Sequence, residues 1–387
     1  MNQEKVYIGD NKAPFDKKDI KGELINFGNE SYYKISNSDV MRPFFMSVVS
    51  DSNHWMFISS NGGLSAGRKD SDSAIFPYYT DDKITESADI TGSKTIIQVH
   101  REGKTYLWEP LANRYVGVYK TERNLYKNSL GNKVVFEEIN KDLGVTFRYQ
   151  WNSSDRFGFI KTSTLINNTK GNIEVTVLDG IQNLLPYGIS EDLQAKRSNL
   201  GDAYKKCELE KESGIGIYAL SSMIVDKAEP SEALKATIAW STGIKNPKYL
   251  VSSLQLDNFR KGQKITQEVD VKAEKGAYFI SAKISLQPLS EQHWMLVADV
   301  NQTMVDICEV SELIKNEANL SAIIQEDIAL GSKNLLRLNA ASDGLQLTAD
   351  KLRNTRHFSN TLFNIMRGGI FDDGYQIEKW DFVKYLE

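Results

Sequence analysis

Gly63-Leu-Ser-Ala-Gly67 is spelled like a nucleophile elbow, the strained strand-to-helix turn that lifts a serine toward a histidine base. Its surroundings argue for a milder role. Arg68-Lys-Asp-Ser-Asp-Ser73 follows, without the apolar face of a packed helix, and no strand–helix alternation frames the motif. The expected structure is a glycine-rich turn between strands, and no catalytic residue is assigned to it.

The four histidines, His54, His100, His293 and His357, include no pair three or four residues apart, the spacing that lets a helix hold a metal. No metal site is expected. His54 and His293 each precede a tryptophan and His100 adjoins Arg101 and Glu102, so each either fills a polar gap or lines an aromatic sugar-binding surface. Carboxylates cluster at Asp70 and Asp72, Asp81-Asp82, Glu137-Glu138 and Asp372-Asp373. Glycoside chemistry needs two carboxyls roughly 5 to 9 Å apart across a sugar, which spacing along loops does not establish, and surface turns explain most of these pairs. No phosphate loop, dinucleotide fingerprint or calcium loop occurs, and no cofactor is expected.

Aromatic residues make up 10% of the chain, with tryptophans at 55, 108, 151, 240, 294 and 380. Most should be core. Those left on a surface have the apolar faces on which sugar rings stack, while Asn, Asp, Glu and Arg meet the hydroxyls.

Positioning such residues falls to a chain of 387 residues, 41% hydrophobic and 25% charged, enough for one large core or two modest ones. Forty-seven basic against 51 acidic residues leave a net charge of -4, with no footprint for nucleic acid; Lys205 and Lys206 read as a solvated face. The opening Met1-Asn-Gln-Glu-Lys5 is no secretory leader and no apolar run reaches the roughly 20 residues a bilayer requires. A soluble, cytoplasmic chain without membrane contact is expected. Cys207 and Cys308 are too few for a disulfide framework and should be reduced thiols.

Val145-Thr-Phe-Arg-Tyr-Gln-Trp151 alternates without a break, which places Val145, Phe147, Tyr149 and Trp151 on one face of a strand. Similar stretches run from Ile173 to Val177 and Tyr278 to Ile284, and β-rich runs span 94–100, 115–119 and 133–139. Turns are marked at Asn61-Gly-Gly63, Glu102-Gly103, Leu130-Gly-Asn132 and Asn167 to Asn172. One clear helix interrupts this pattern, capped by Ser190 and carrying Leu193, Ala195, Leu200 and Tyr204. Beyond Asp299 the period turns helical, through Ile307, Val310 and Ile314, then Leu320 to Ile328, then Phe358 to Met366, with Gly368-Gly369 as a stop. A mainly β domain over 1–300 and a helical region over 301–387 are expected. Nine apolar or aromatic residues crowd the last eighteen, from Ile370, Phe371, Tyr375 and Ile377 to Trp380, Phe382, Val383, Tyr385 and Leu386, so the chain reads as the front part of something larger.

Ile58-Ser-Ser-Asn-Gly-Gly-Leu-Ser-Ala-Gly-Arg-Lys-Asp70 with Phe76-Pro-Tyr-Tyr79 resembles the early loop of the cellobiose phosphorylase family, glycoside hydrolase family 94. Glu102 to Pro110, Thr162 to Val177 and Asp179 to Gly188 resemble later strands of that family in the same order. The resemblance covers roughly residues 25 to 300. It implies a large antiparallel β-supersandwich of the galactose mutarotase-like kind, linker helices, and then an (α/α)6 barrel that holds the catalytic acid. The 87 residues after position 300 are too few for twelve helices of about 11 residues each, so the family's catalytic aspartate has no counterpart here. The resemblance further implies that the Asn61 to Asp70 loop closes a sugar site and supports a homodimer, with Asn61, Ser65, Arg68 and Asp70 as substrate-binding residues.

The leading expectation is a non-catalytic, carbohydrate-associated domain that caps a partner barrel and supports assembly. Two alternatives stand beside it. One is a mutarotase-type sugar epimerase using His100, His293 and Glu137, and the other is a stand-alone glycan-binding module.

Overall fold

Alternating side chains commit most of this chain to strands, and the apolar faces of those strands then decide how the sheets stack. The computed structural model describes residues 7–8, 11–12, 18–222, 224, 234–368 and 378–387. Two short strands, β1 (Tyr7–Ile8) and β2 (Asn11–Lys12), pair with each other. The hairpin β3 (Lys21–Phe27) and β4 (Glu30–Ser36) follows, and then a meander of β5 (Phe45–Val48), β6 (His54–Ser59), β7 (Leu64–Arg68) and β8 (Ala74–Phe76). After the short helix α1 (Asp81–Glu86) come β9 (Gly92–Arg101), β10 (Lys104–Trp108), β11 (Thr121–Asn128), β12 (Val134–Asn140), β13 (Val145–Ser154), β14 (Gly158–Asn167) and β15 (Ile173–Leu184). Helix α2 (Glu191–Tyr204) precedes β16 (Lys205–Glu210), β17 (Ile215–Leu220), β18 (Lys235–Thr242), β19 (Lys248–Leu250), α3 (Leu256–Arg260), β20 (Asp270–Lys272), β21 (Gly276–Leu286) and β22 (Glu291–Thr303). Among the described residues, four helices follow: α4 (Met304–Asn316), α5 (Leu320–Ala341), α6 (Lys351–Gly368) and α7 (Lys379–Leu386).

Strand pairing is antiparallel throughout the described sheets. An eleven-stranded sheet, ordered β20-β16-β17-β18-β22-β14-β13-β12-β11-β4-β3, faces a five-stranded sheet, β10-β9-β15-β21-β19, with the four-stranded β5-β6-β7-β8 beside them. The main core lies between. Val145, Phe147, Tyr149 and Trp151 of β13 all enter it, as their alternation requires, opposite Ile97 and Val99 of β9 and Val175 and Val177 of β15; Ile58, Leu64 and Ala66 join from the small sheet. Mainly β, with large antiparallel sheets followed by helices, is thus the architecture found.

A buried ion pair with its polar partners sits inside this core. Asp179 of β15 and Lys161 of β14 are fully buried and 2.5 Å apart, so an ion pair bridges the two large sheets. Asp179 also accepts from Thr95 at 2.6 Å, Ser163 at 2.8 Å and Trp294 Nε1 at 2.7 Å, and Lys161 reaches the Gly180 carbonyl at 3.2 Å. Burial pulls the Lys161 ammonium below its ordinary pKa, and Asp179 opposes that pull.

Helices cover the outer faces. The change of period near residue 300 coincides with the junction of β22 and α4, where Thr303 and Asp306 form a reciprocal capping box. Ile307, Leu320, Ile324 and Ile328 of α4 and α5 pack on Ile160, Trp240, Met295 and Val297 of the eleven-stranded sheet, while Leu256 and Phe259 of α3 seal the five-stranded one. Ser190 caps α2 by accepting from the Leu193 amide, as its type suggests. Besides α2, the β region holds α1 and α3, whose six and five residues offer too little periodicity to be read from sequence.

Residues 115–119, expected to be β, form turns instead. Val116 and Val118 are 60% and 64% exposed, so no sheet face claims them. Polar bonds hold the foot of this loop: Glu138 accepts from Trp108 Nε1, the Leu111 amide and Arg123, and the buried Glu109 pairs with Arg260 and Lys94. Lys205 likewise departs from the solvated reading, being buried beside Asp202 at 2.6 Å.

Of the tail, Gly369, Ile370, Phe371, Asp372, Asp373, Tyr375 and Ile377 lie outside the described residues. Trp380, Phe382, Val383, Tyr385 and Leu386 lie on α7, and all five are exposed. No described helix is long and apolar enough to cross a membrane.

Lys161→Met strands a buried carboxylate between the sheets and should cost about 3–5 kcal/mol, read as a fall in the urea midpoint. Adding Asp179→Asn removes the stranded charge while keeping an acceptor for Thr95 and Trp294, and should restore a large part of the loss. A single variant as stable as the parent would contradict the bridging role.

Candidate functional site: an aromatic strip and the cleft beside it

Alternate residues of β6 divide between two faces. Met56 and Ile58 enter the core, so Trp55 and Phe57 stand together on the outer face of the small sheet. Phe45 of β5 lies diagonally across from Phe57, and their rings stack at 5.3 Å and 27°. The Trp55 and Phe57 rings are 5.9 Å apart, and Tyr78 meets Trp55 edge-on at 5.4 Å. A strip of four rings results, with Phe45 46% and Tyr78 42% exposed at its ends.

The two glycines of the elbow-like motif serve this surface. A Cβ on Gly67 would lie 2.5 Å from the Trp55 ring and 2.6 Å from the Ser73 carbonyl, so only glycine lets the indole settle there. A Cβ on Gly63 would lie 1.9 Å from the Ile84 carbonyl, so the same economy lets α1 rest on β7. Trp55 Nε1 then donates to the Asp70 carbonyl at 3.2 Å, which fixes the ring.

Tyr78 ends the strip and opens a cleft. About 630 Å³ lies between the loop after β8, α1 and the first half of α2, lined by Tyr78, Tyr79, Lys83, Glu86, Glu191 and Gln194 among others. That size suits a small ligand. Burial pushes the Tyr79 phenol above the ordinary range, with Gln194 opposing the shift. Lys83, Glu86 and Glu191 have no salt-bridge partner within 4.0 Å among the described residues. Two other recesses, about 570 Å³ beside Leu345 and Leu347 and about 650 Å³ at the start of α5, are lined by none of the four rings of the strip.

The sequence-derived site residues fall around and beneath the strip. Asn61 donates to the Thr85 carbonyl at 2.8 Å and so pins α1. Ser65 is fully buried in β7, since Leu64–Arg68 is a strand and the turn lies just before it, at 60–62. The elbow and the glycine-rich turn both give way to that strand, whose pairing with β6 and β8 leaves no tight bend at Ser65. Arg68 forks onto Asp299 at 2.7 and 2.9 Å and also holds Asn53 Oδ1 and the Asp155 carbonyl. Asp70 accepts from the Ser73 amide at 3.1 Å and keeps half of its side chain exposed beside Trp55. These four are not brought to one point.

The histidines lie apart as well. His54 is buried, edge-on to Phe159, with Nδ1 2.7 Å from Ser52 Oγ; burial, with Arg68 nearby, pushes its pKa down to about 3. His100 sits between the Thr105 and Thr176 hydroxyls on the five-stranded sheet. His293 and Glu137 share the outer face of the eleven-stranded sheet, joined in register through Arg148 and Thr164. Three strand spacings of ~4.8 Å put them about 14 Å apart, too far for an acid and a base to act on one carbon. Burial raises the Glu137 carboxyl, but Arg148, Tyr126 and Asn124 outweigh it and hold the group below its usual range. Trp108, Trp151, Trp240 and Trp294 are core, Trp55 is half-buried beside Ala74 and Leu185, and Trp380 is exposed. The strip itself was missed in the sequence, although Trp55-x-Phe57 carries the period-two signal that marks a shared face.

Removing Arg68 would leave Asp299, already raised by burial, without its neutralising partner. Arg68→Ala should therefore lower stability by about 3–5 kcal/mol in chemical denaturation. His54 gives a pH signature. Its folded pKa is depressed, so its contribution is complete above about 6.5 and is lost as pH falls toward 3, at no more than ~1.4 kcal/mol per pH unit. His54→Asn should flatten that slope, and an unchanged profile would contradict the assignment.

No protein-family model matches the chain, and no curated protein matches it. Among solved structures, a bacterial glucoamylase complexed with acarbose is similar over 82% of this chain and 39% of its own, at 9% identity and a TM-score of 0.41. A human-microbiome protein assigned as a kojibiose phosphorylase is similar over 87% and 35%, at 7% identity and a TM-score of 0.42. An Escherichia coli K12 protein assigned as an aldose 1-epimerase is similar over 67% of this chain and 100% of its own, at 9% identity and a TM-score of 0.33. The chain thus spans little more than a third of the length of the first two, and no residue role is carried over from any of them.

Proposed function

We propose that this chain is a non-catalytic, carbohydrate-associated β-supersandwich that holds a sugar chain along the small-sheet strip and in the cleft at its end. The observation that carries the reading is the continuity of Phe45, Phe57, Trp55 and Tyr78 with the cleft. Rings there meet the apolar CH faces of a sugar, and Glu86, Glu191, Gln194 and Lys83 meet its hydroxyls. The separation of His100, His293 and Glu137 supports the non-catalytic part of the reading.

The proposal extends to organisation. Residues 1–300 form the sugar-facing domain, and the helical region 301–387, with the uncovered apolar side chains of α7, is turned toward a helical barrel of the cellobiose phosphorylase kind. Docking α7 there would bury apolar area worth roughly 25 cal/mol per Å².

Calorimetric titration of the full chain with cello-, malto- and manno-oligosaccharides tests the sugar site. Binding of at least one series is expected, and Trp55→Ala or Tyr78→Ala should weaken it about tenfold or more, a change of ~1.4 kcal/mol. Tyr78→Ala, at an exposed ring, should keep the melting temperature of the parent, whereas Trp55→Ala, at a half-buried ring packed beside Ala74, Leu185 and Ile189, should lower it, so the Tyr78 variant separates loss of binding from loss of stability. Absence of binding by the parent, or unchanged affinity in both variants, would overturn the proposal.

A further inference from the structure

The charges around the cleft are not balanced. Lys83 and Glu86 come from α1 and Glu191 from the first turn of α2, so two carboxylates and one ammonium line the recess without salt-bridge partners among the described residues. Neighbouring acids are committed elsewhere. Asp72 accepts from the Glu191 amide at 2.9 Å, Asp202 holds Lys205 at 2.6 Å, Asp89 holds Lys94 at 3.2 Å, and Asp192 pairs with Lys196. Nor does the start of α2 offer an anion a free positive pole, because Glu191 and Asp192 occupy its first turn and Ser190 caps it.

We infer that this cleft selects sugars by charge, admitting neutral and 2-amino oligosaccharides and rejecting uronates. The inference rests on the sugar-binding reading above and adds the chemical class of the ligand. A uronate carboxylate entering beside Tyr78 and Tyr79 would give up water in a concave, partly aromatic recess and meet two carboxylates with one ammonium to offset them. A 2-ammonium group would instead find carboxylates free to take charge-assisted hydrogen bonds. Neutral hydroxyls are served by either sign and by Gln194.

Equal-length β-1,4-linked oligomers of glucose, glucosamine and mannuronate, titrated into the full chain at low ionic strength, provide the test. The glucosamine oligomer should bind at least as tightly as the glucose oligomer, and the mannuronate oligomer about tenfold or more weakly. The double variant Glu86→Gln, Glu191→Gln should shrink the glucose-to-mannuronate ratio toward one, whereas Lys83→Met should widen it. High salt should narrow the ratio in the parent, as screening requires. Equal binding of glucose and mannuronate oligomers, with both still lost on Trp55→Ala, overturns the charge selection and leaves the sugar site standing. A ratio unmoved by the double variant overturns it too. Failure of every oligomer to bind, the malto- and manno-oligosaccharides included, removes the sugar site itself, and the selection with it.

Discussion

A single buried ion pair governs how the two large sheets face each other. Lys161 and Asp179 come from opposite sheets, and each is removed from water completely. Such a pair gains from its attraction only if the remaining donors and acceptors are met, and here Thr95, Ser163, Trp294 and the Gly180 carbonyl meet them. Hydrophobic packing of Phe147, Val177 and their neighbours is tolerant of small slides. The ion pair is not, because a shift of one residue along β14 or β15 would turn a charge out of reach of its partner. The ion pair thus reinforces the alignment that the apolar faces of β14 and β15 already impose.

The small sheet inherits its place from this frame. Arg68 at the end of β7 forks onto Asp299 of β22, which ties the meander to the central part of the eleven-stranded sheet. With the edge fixed, the outer face of β6 presents Trp55 and Phe57, and Gly67 and Gly63 allow the ring and α1 to come close. A shallow aromatic surface beside a polar recess follows from a few close backbone contacts.

Much of the β frame was legible because alternation is a local signal. Val145 to Trp151 shows it fully, and all four apolar members reach the core. Helix α2 was legible through Ser190, whose side chain caps as its chemistry suggests. The failures share a cause. Val116 and Val118 have the composition of a strand, but the partners that would pair with them are absent from that part of the structure, and propensity without pairing gives turns. Gly63 to Gly67 reads as a glycine-rich turn because glycine is a turn former, whereas these glycines answer to the packing of Trp55 and Ile84. Arg68 looked like a ligand fork because its partner lies 231 residues away. Charge pairing across such a distance has no local trace. The strip escaped notice for the opposite reason: its period-two spacing is plain, but which face of β6 is outer depends on where the core forms.

The foot of the loop between β10 and β11 has a separate consequence. Glu138 gathers Trp108, the Leu111 amide and Arg123, and Glu109 gathers Arg260 and Lys94, so both ends of an exposed segment are stapled from within. Proteases cut loops that can unravel into an extended conformation over many residues. Here unravelling would uncover carboxylates that now have no contact with water, so a segment bearing two bare valines and a half-open tyrosine is shielded from nicking by chemistry at its base, not by any cover over its tip.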